Sequence, residues 1–260
     1  MGVDHVVDLE CNAKRALGVE TIVNLLKSRS RADAILHMSR QNGDNRPPEQ
    51  ITFKVAVQRP TGVETQDVSV AMLFQQAAGL DPHRSGCASC PANAGMAAGF
   101  GCVRYLNYPI EQRTEQWLWS RLPQDMRCTA GHFLQRAIAD FGWDGAPSAK
   151  MRAQGRTFFE SPTPLSGSWP DGFSFTSDQL FHMLFHVGHL GATHSLMVAL
   201  FLGVLPHDLD PQILGDRARR AQMLGLAGVP PQEGQREQMA EVLRALVMAA
   251  RLEVDLLVDG

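Results

Sequence analysis

The chain lacks most of the features that announce a function. Its 260 residues carry a net charge of only -3, so no broad electropositive field exists to attract nucleic acid. The one basic cluster, Arg217, Arg219 and Arg220, follows Asp216 and reads as a solvated helix face. No apolar core of signal-peptide length lies near the N-terminus, and Val6 stands where a myristoylation motif needs Ser or Thr. Five cysteines, an odd number, do not make a disulfide framework and fit a reducing compartment, so the expected location is the cytoplasm. There is no G-x-S-x-G elbow, phosphate-binding loop, dinucleotide fingerprint, internal repeat or low-complexity tract.

A long stretch free of charge is present, from Gln179 to His207, but its histidines and glycines and the absence of flanking Lys or Arg argue against a membrane span. A buried central helix is expected there.

The remaining pattern predicts an α+β fold, mostly helical, with long C-terminal helices. The stretch ITFKVAVQ alternates Ile51, Phe53 and Val55 against Thr52, Lys54 and Ala56, the two-residue period of a half-buried strand. With RPTG as a turn and VETQDVSV returning, this predicts a small antiparallel sheet over about 51–69, with 103–108 as a candidate further strand. Helices are expected over Ala13 to Lys27 and Arg31 to Arg40 with Ser30 capping between them, after Ser69, over Asp125 to Phe141, after Thr176, and over Gln232 to Leu257. The long Gly/Pro/aromatic stretch from Gly142 to Ser177 contains a short helix near 147–153 or forms a lid. The expected organisation is residues 1–141 with the cysteine segment and 142–260 with the histidine helix.

Two constellations carry chemistry. Cys87-Ala88-Ser89-Cys90 places two thiols on one tight turn, as zinc and iron–sulfur sites require. Cys102 follows after eleven residues, with Gly95, Gly99 and Gly101 to let the chain return, and His83 precedes Cys87 by four positions. Cys128 competes with His83 for the fourth ligand position, and a four-cysteine set would suit an iron–sulfur cluster. A thioredoxin-like redox pair is disfavoured, because LDPHRSG before the motif is no strand; buried free cysteines are the bland alternative.

The second constellation is His182, His186 and His189, which share one face if the stretch after Ser177 is helical, with Gly188 and Gly191 as places for that helix to bend. Three imidazoles would leave an open position on a metal, but the glutamate of H-E-x-x-H is missing. Glu160, Asp171 and Asp178 are the nearest candidates for a base. The bland alternative is a set of core histidines beside Phe181, Phe185 and Phe201.

The sequence thus predicts a metal-binding protein with a structural zinc or iron–sulfur site in a binding or assembly role, working with a protein partner or a second copy of itself. The alternative is a metal-dependent hydrolase or oxidoreductase that uses the histidines on a small-molecule substrate. Neither nucleic acid nor membrane is an expected partner.

Overall fold

The computed structural model describes residues 2–59, 62–93, 99–170 and 172–259. Gly95 and Asp171 lie outside them. The fold is α+β, and the chain divides into two compact units. One comprises residues 1–9 and 101–260, the other residues 10–100, so the division falls elsewhere than at the 141/142 boundary read from the sequence.

The larger unit opens with β1 (Gly2–Val7). The smaller unit follows: α1 (Asn12–Leu17), α2 (Val19–Gln41), the hairpin β2 (Thr52–Arg59) and β3 (Gly62–Ser69), α3 (Val70–Ala77), a 3-10 turn at Ala78–His83, and α4 (Arg84–Ala88). The hairpin appears where the alternation places it, with Phe53 opposite Val68 and Val55 opposite Gln66. Ser69 caps α3 by accepting a hydrogen bond from the Met72 N–H at 3.2 Å. Ala32, Ile51, Val70 and Leu73 form the small buried core of this unit. The expected break at Ser30 is absent, because neither glycine nor proline interrupts α2.

The larger unit resumes with β4 (Val103–Asn107), α5 (Gln112–Trp119), α6 (Thr129–Phe141), α7 (Ala146–Arg152), the hairpin β5 (Ser166–Ser168) and β6 (Ser174–Thr176), and α8 (Ser177–Phe185). It closes with β7 (His189–Leu190), α9 (Ala192–Phe201), α10 (Pro211–Gly215), α11 (Arg217–Leu226), α12 (Gln235–Leu252) and β8 (Leu256–Asp259). The candidate strand at 103–108 is therefore real, but it belongs to a four-stranded antiparallel sheet of order β4-β1-β8-β7 rather than to the 51–69 hairpin.

On one face of that sheet the register brings Val3, His5 and Val7 beside Arg104, Leu106, Leu256 and Val258, all buried. The predicted stripe of the last helix, Met239, Val242, Leu243 and Leu246, is fully buried, and α12 packs on α9, β4 and β1. α8 adds Leu180, Phe181, Met183, Leu184 and Phe185 to the core. At roughly 1.5–3 kcal/mol for each fully buried large apolar side chain, this core dominates the stability of the unit.

Between α5, α7 and α8 lies a buried charge network. The Arg152 guanidinium donates to Glu115 at 2.7 Å, to Asp178 at 2.9 Å and to the Ser161 carbonyl at 2.8 Å, and it lies 4.1 Å over the Phe159 ring. Ser177 donates its hydroxyl proton to Glu115. No helix among the described residues is long and apolar enough to cross a membrane.

Candidate functional site

The cysteine turn is built by the end of a helix. The 3-10 turn at Ala78–His83 runs directly into α4, and Arg84 pairs with Asp81 at 2.9 Å. α4 stops at Ala88, and Ser89 takes φ -99° and ψ 1°. The Cys90 N–H then donates to the Cys87 carbonyl at 3.1 Å, which closes residues 87–90 as a type I turn. Pro91 follows, and the Asn93 N–H donates to the Cys90 carbonyl at 2.9 Å. Cys87 is buried and Cys90 half-buried. Gly99, at φ +78°, lies against Cys87, where an added Cβ would meet the Cys87 Cβ at 3.4 Å. His83 stands one helical turn before Cys87 and is half-buried.

The other two cysteines of the expected set belong to the larger unit. Cys102 precedes β4 and its carbonyl accepts the Val7 N–H at 2.9 Å. Cys128 is the N-cap of α6, and its sulfur accepts the Gly131 N–H at 3.3 Å. The helix read from Asp125 thus begins at Thr129, because Cys128 serves as its cap rather than its interior.

The histidine helix is not continuous. Of the two caps the sequence offered, Thr176 and Ser177, it is Thr176 that starts α8, in a capping box with Gln179. The helix nevertheless ends at Phe185, His186 is its C-cap, and Gly188 turns the chain at φ +69°. His189 then lies on β7, opposite Leu257 of β8, and is exposed. The expected single face of three imidazoles is therefore broken: a left-handed glycine sends the chain into the sheet before the third histidine.

His182 and His186 do remain neighbours, with ring centroids 6.4 Å apart. His182 Nδ1 accepts the Gly145 N–H at 3.2 Å, which puts the proton of the neutral ring on Nε2. The same Nδ1 lies 3.4 Å from Asp144 Oδ1, a contact that becomes attractive when the ring is protonated. Asp144 Oδ1 also accepts the Ala146 N–H at 2.9 Å, just ahead of Gly145, the N-cap of α7. Burial lowers the His182 pKa and Asp144 partly opposes this; burial, then the charge of His182, lowers that of His186. His186 Nε2 is buried without a hydrogen-bond partner.

Of the carboxylates proposed from the sequence, Asp178 is committed to Arg152, and Glu160 accepts the Gln112 N–H at 2.9 Å. Asp144 is the carboxylate beside the histidines, and no spacing in the sequence points to it. His194, next along, packs edge-on against Phe141 at 4.5 Å.

Among the described residues, no three or more His, Cys, Asp or Glu side chains are gathered in a geometry that could hold a metal ion. The chain matches no protein-family model, no curated protein and no solved structure at a significant level.

Proposed function

We propose that this chain is a metal-binding protein in which Cys87 and Cys90 supply the first two ligands to zinc or to an iron–sulfur cluster, in a binding or assembly role with a protein partner. The supporting observation is the type I turn, which holds both thiols on one short loop with His83 a helical turn away. His83, Cys102 and Cys128 are the further candidate ligands. A reducing compartment such as the cytoplasm keeps the thiols available.

The test is metal analysis of protein purified anaerobically, with an optical spectrum. Zinc without colour identifies a zinc site, and a brown chromophore an iron–sulfur cluster. Cys90→Ser should lower the metal content and the melting temperature together. Protein that is metal-free as purified and takes up neither zinc nor iron and sulfide on reconstitution would reject the reading.

The second reading, a metal-dependent enzyme that the sequence based on His182, His186 and His189, retains His182 and His186, and is favoured by one observation: Asp144 beside His182 is a carboxylate able to orient a ligand or accept a proton. Zinc titration of His186→Ala against the wild type tests it; identical affinity in the two would reject it.

A further inference from the structure

We propose that the Cys87–Cys90 turn is a redox-sensitive dithiol, which a small-molecule disulfide closes into an intramolecular disulfide bond. The inference uses the sulfurs of the proposed metal site but does not need the metal.

Three observations carry it. The first is reach. A β-turn brings the Cα atoms of its first and fourth residues within about 7 Å, and a disulfide spans Cα atoms about 4.4–6.8 Å apart. The Cys90 N–H to Cys87 carbonyl bond and the Ser89 dihedrals show that turn already formed, so closure needs side-chain rotation rather than refolding. The second is an order of events. Cys90 is half-buried and open to an attacking reagent, whereas Cys87 is only 5% exposed and is placed to resolve. The third is that the Cys128 sulfur is engaged elsewhere, where it accepts the Gly131 N–H of α6.

The chemistry is thiol–disulfide exchange. With oxidised glutathione as the oxidant, the Cys90 thiolate attacks one glutathione sulfur, the glutathione S–S bond breaks, and the first glutathione leaves as thiolate. The Cys87 thiolate then attacks the Cys90 sulfur of the mixed disulfide. The Cys87–Cys90 bond forms and the second glutathione is expelled. Two electrons pass from the protein to the oxidant, and the two thiol protons end on the two released glutathione molecules. Closure consumes both sulfurs, so an oxidised chain has lost both of the proposed metal ligands. The motif sits at the C-terminal end of α4, not at a helix N-terminus, which makes it a substrate of such exchange rather than an oxidoreductase of the thioredoxin kind.

The experiment uses the full chain, treated with oxidised glutathione, blocked with N-ethylmaleimide and digested with trypsin and chymotrypsin. Cleavage after Phe100 separates Cys102 from the pair. The expected product is a peptide holding Cys87 and Cys90, lighter by two hydrogens and unlabelled, that regains two labels after reduction. Cys87→Ser should stop at a glutathione adduct on Cys90; Cys87→Ala serves if the serine variant does not fold. Two labels on the oxidised wild-type peptide, a bond from either sulfur to Cys102 or another cysteine, or a lasting adduct in the wild type would overturn the proposal. Metal content is measured on the untreated protein. A chain that is metal-free, takes up neither zinc nor iron and sulfide on reconstitution, and whose dithiol closes refutes only the metal reading, and a metal-loaded chain whose stripped form fails to close refutes only this one.

Discussion

Replacing Arg152 with methionine should be among the most damaging single changes in the larger unit. The guanidinium is 3% exposed and serves two carboxylates, Glu115 at 1% and Asp178 at 9%. Methionine keeps much of the volume against Phe159 but leaves two buried acids with no cation. Breaking a buried pair by removing one partner costs about 3–5 kcal/mol, because the stranded charge stays out of water. The bond to the Ser161 carbonyl is lost as well, so the upper half of that range is expected. Against a total stability of about 5–15 kcal/mol, this removes about a quarter or more. The measurement is urea unfolding followed by tryptophan fluorescence, which reports this unit alone, since Trp117, Trp119, Trp143 and Trp169 all lie in it. Arg136→Ala, which removes an exposed ion pair with Asp140, is the control and should cost no more than about 1 kcal/mol. A loss below about 1 kcal/mol for Arg152→Met at neutral pH, well short of the range for a broken buried pair, would refute the assignment of Arg152 as the keystone of this network.

Three further outcomes follow from the same structure. His5 is fully buried, with Nε2 bonded to the Leu184 carbonyl at 2.9 Å, and burial lowers its pKa from 6.5 to about 4. The unfolded chain therefore binds the extra proton between those values, so stability is complete above pH 6.5 and falls by about 3 kcal/mol on reaching pH 4; the urea midpoint of His5→Gln should show a correspondingly flatter dependence over this window. Gly145 has φ +82°, and an added Cβ would lie 2.9 Å from the Gln179 nitrogen, so Gly145→Ala should cost about 2 kcal/mol or more in thermal melts, while Gly142→Ala, at φ +65° with nothing within 4 Å, should cost only about 1. Replacing residues 10–100 by a short Gly/Ser linker should leave the larger unit folded with its tryptophan emission unchanged, because the Val7 N–H to Cys102 carbonyl bond at 2.9 Å keeps the two excision points adjacent; an unfolded far-ultraviolet spectrum would contradict this.

What could be read from the sequence was whatever depended on local period and capping. The 52–69 hairpin, the Ser69 and Thr176 caps, the short helix after Gly145 and the buried stripe of α12 all rest on neighbours within a few positions. β1 carries no strand signature because GVDHVV is buried on both faces, which erases the alternation that marks a half-exposed strand. β8 was absorbed into the predicted last helix, although Glu253 ends that helix in the left-handed region. The candidate sites divide in the same way. The Cys87–Cys90 turn follows from a four-residue spacing, whereas the partnership of Asp144 with His182 is created by packing, and the loss of His189 from the helix face hinges on Gly188.

The insertion of residues 10–100 between two paired strands also sets an order for biosynthesis. β1 is synthesised well before either of its neighbours, so Val6 must wait for Val103 on one side and, much longer, for Leu257 on the other. Throughout that interval the apolar strand that becomes the sheet's centre has both edges open, the condition in which nascent chains aggregate or recruit chaperones. The smaller unit, with every strand partner nearby in sequence, can fold while the larger one is still being synthesised.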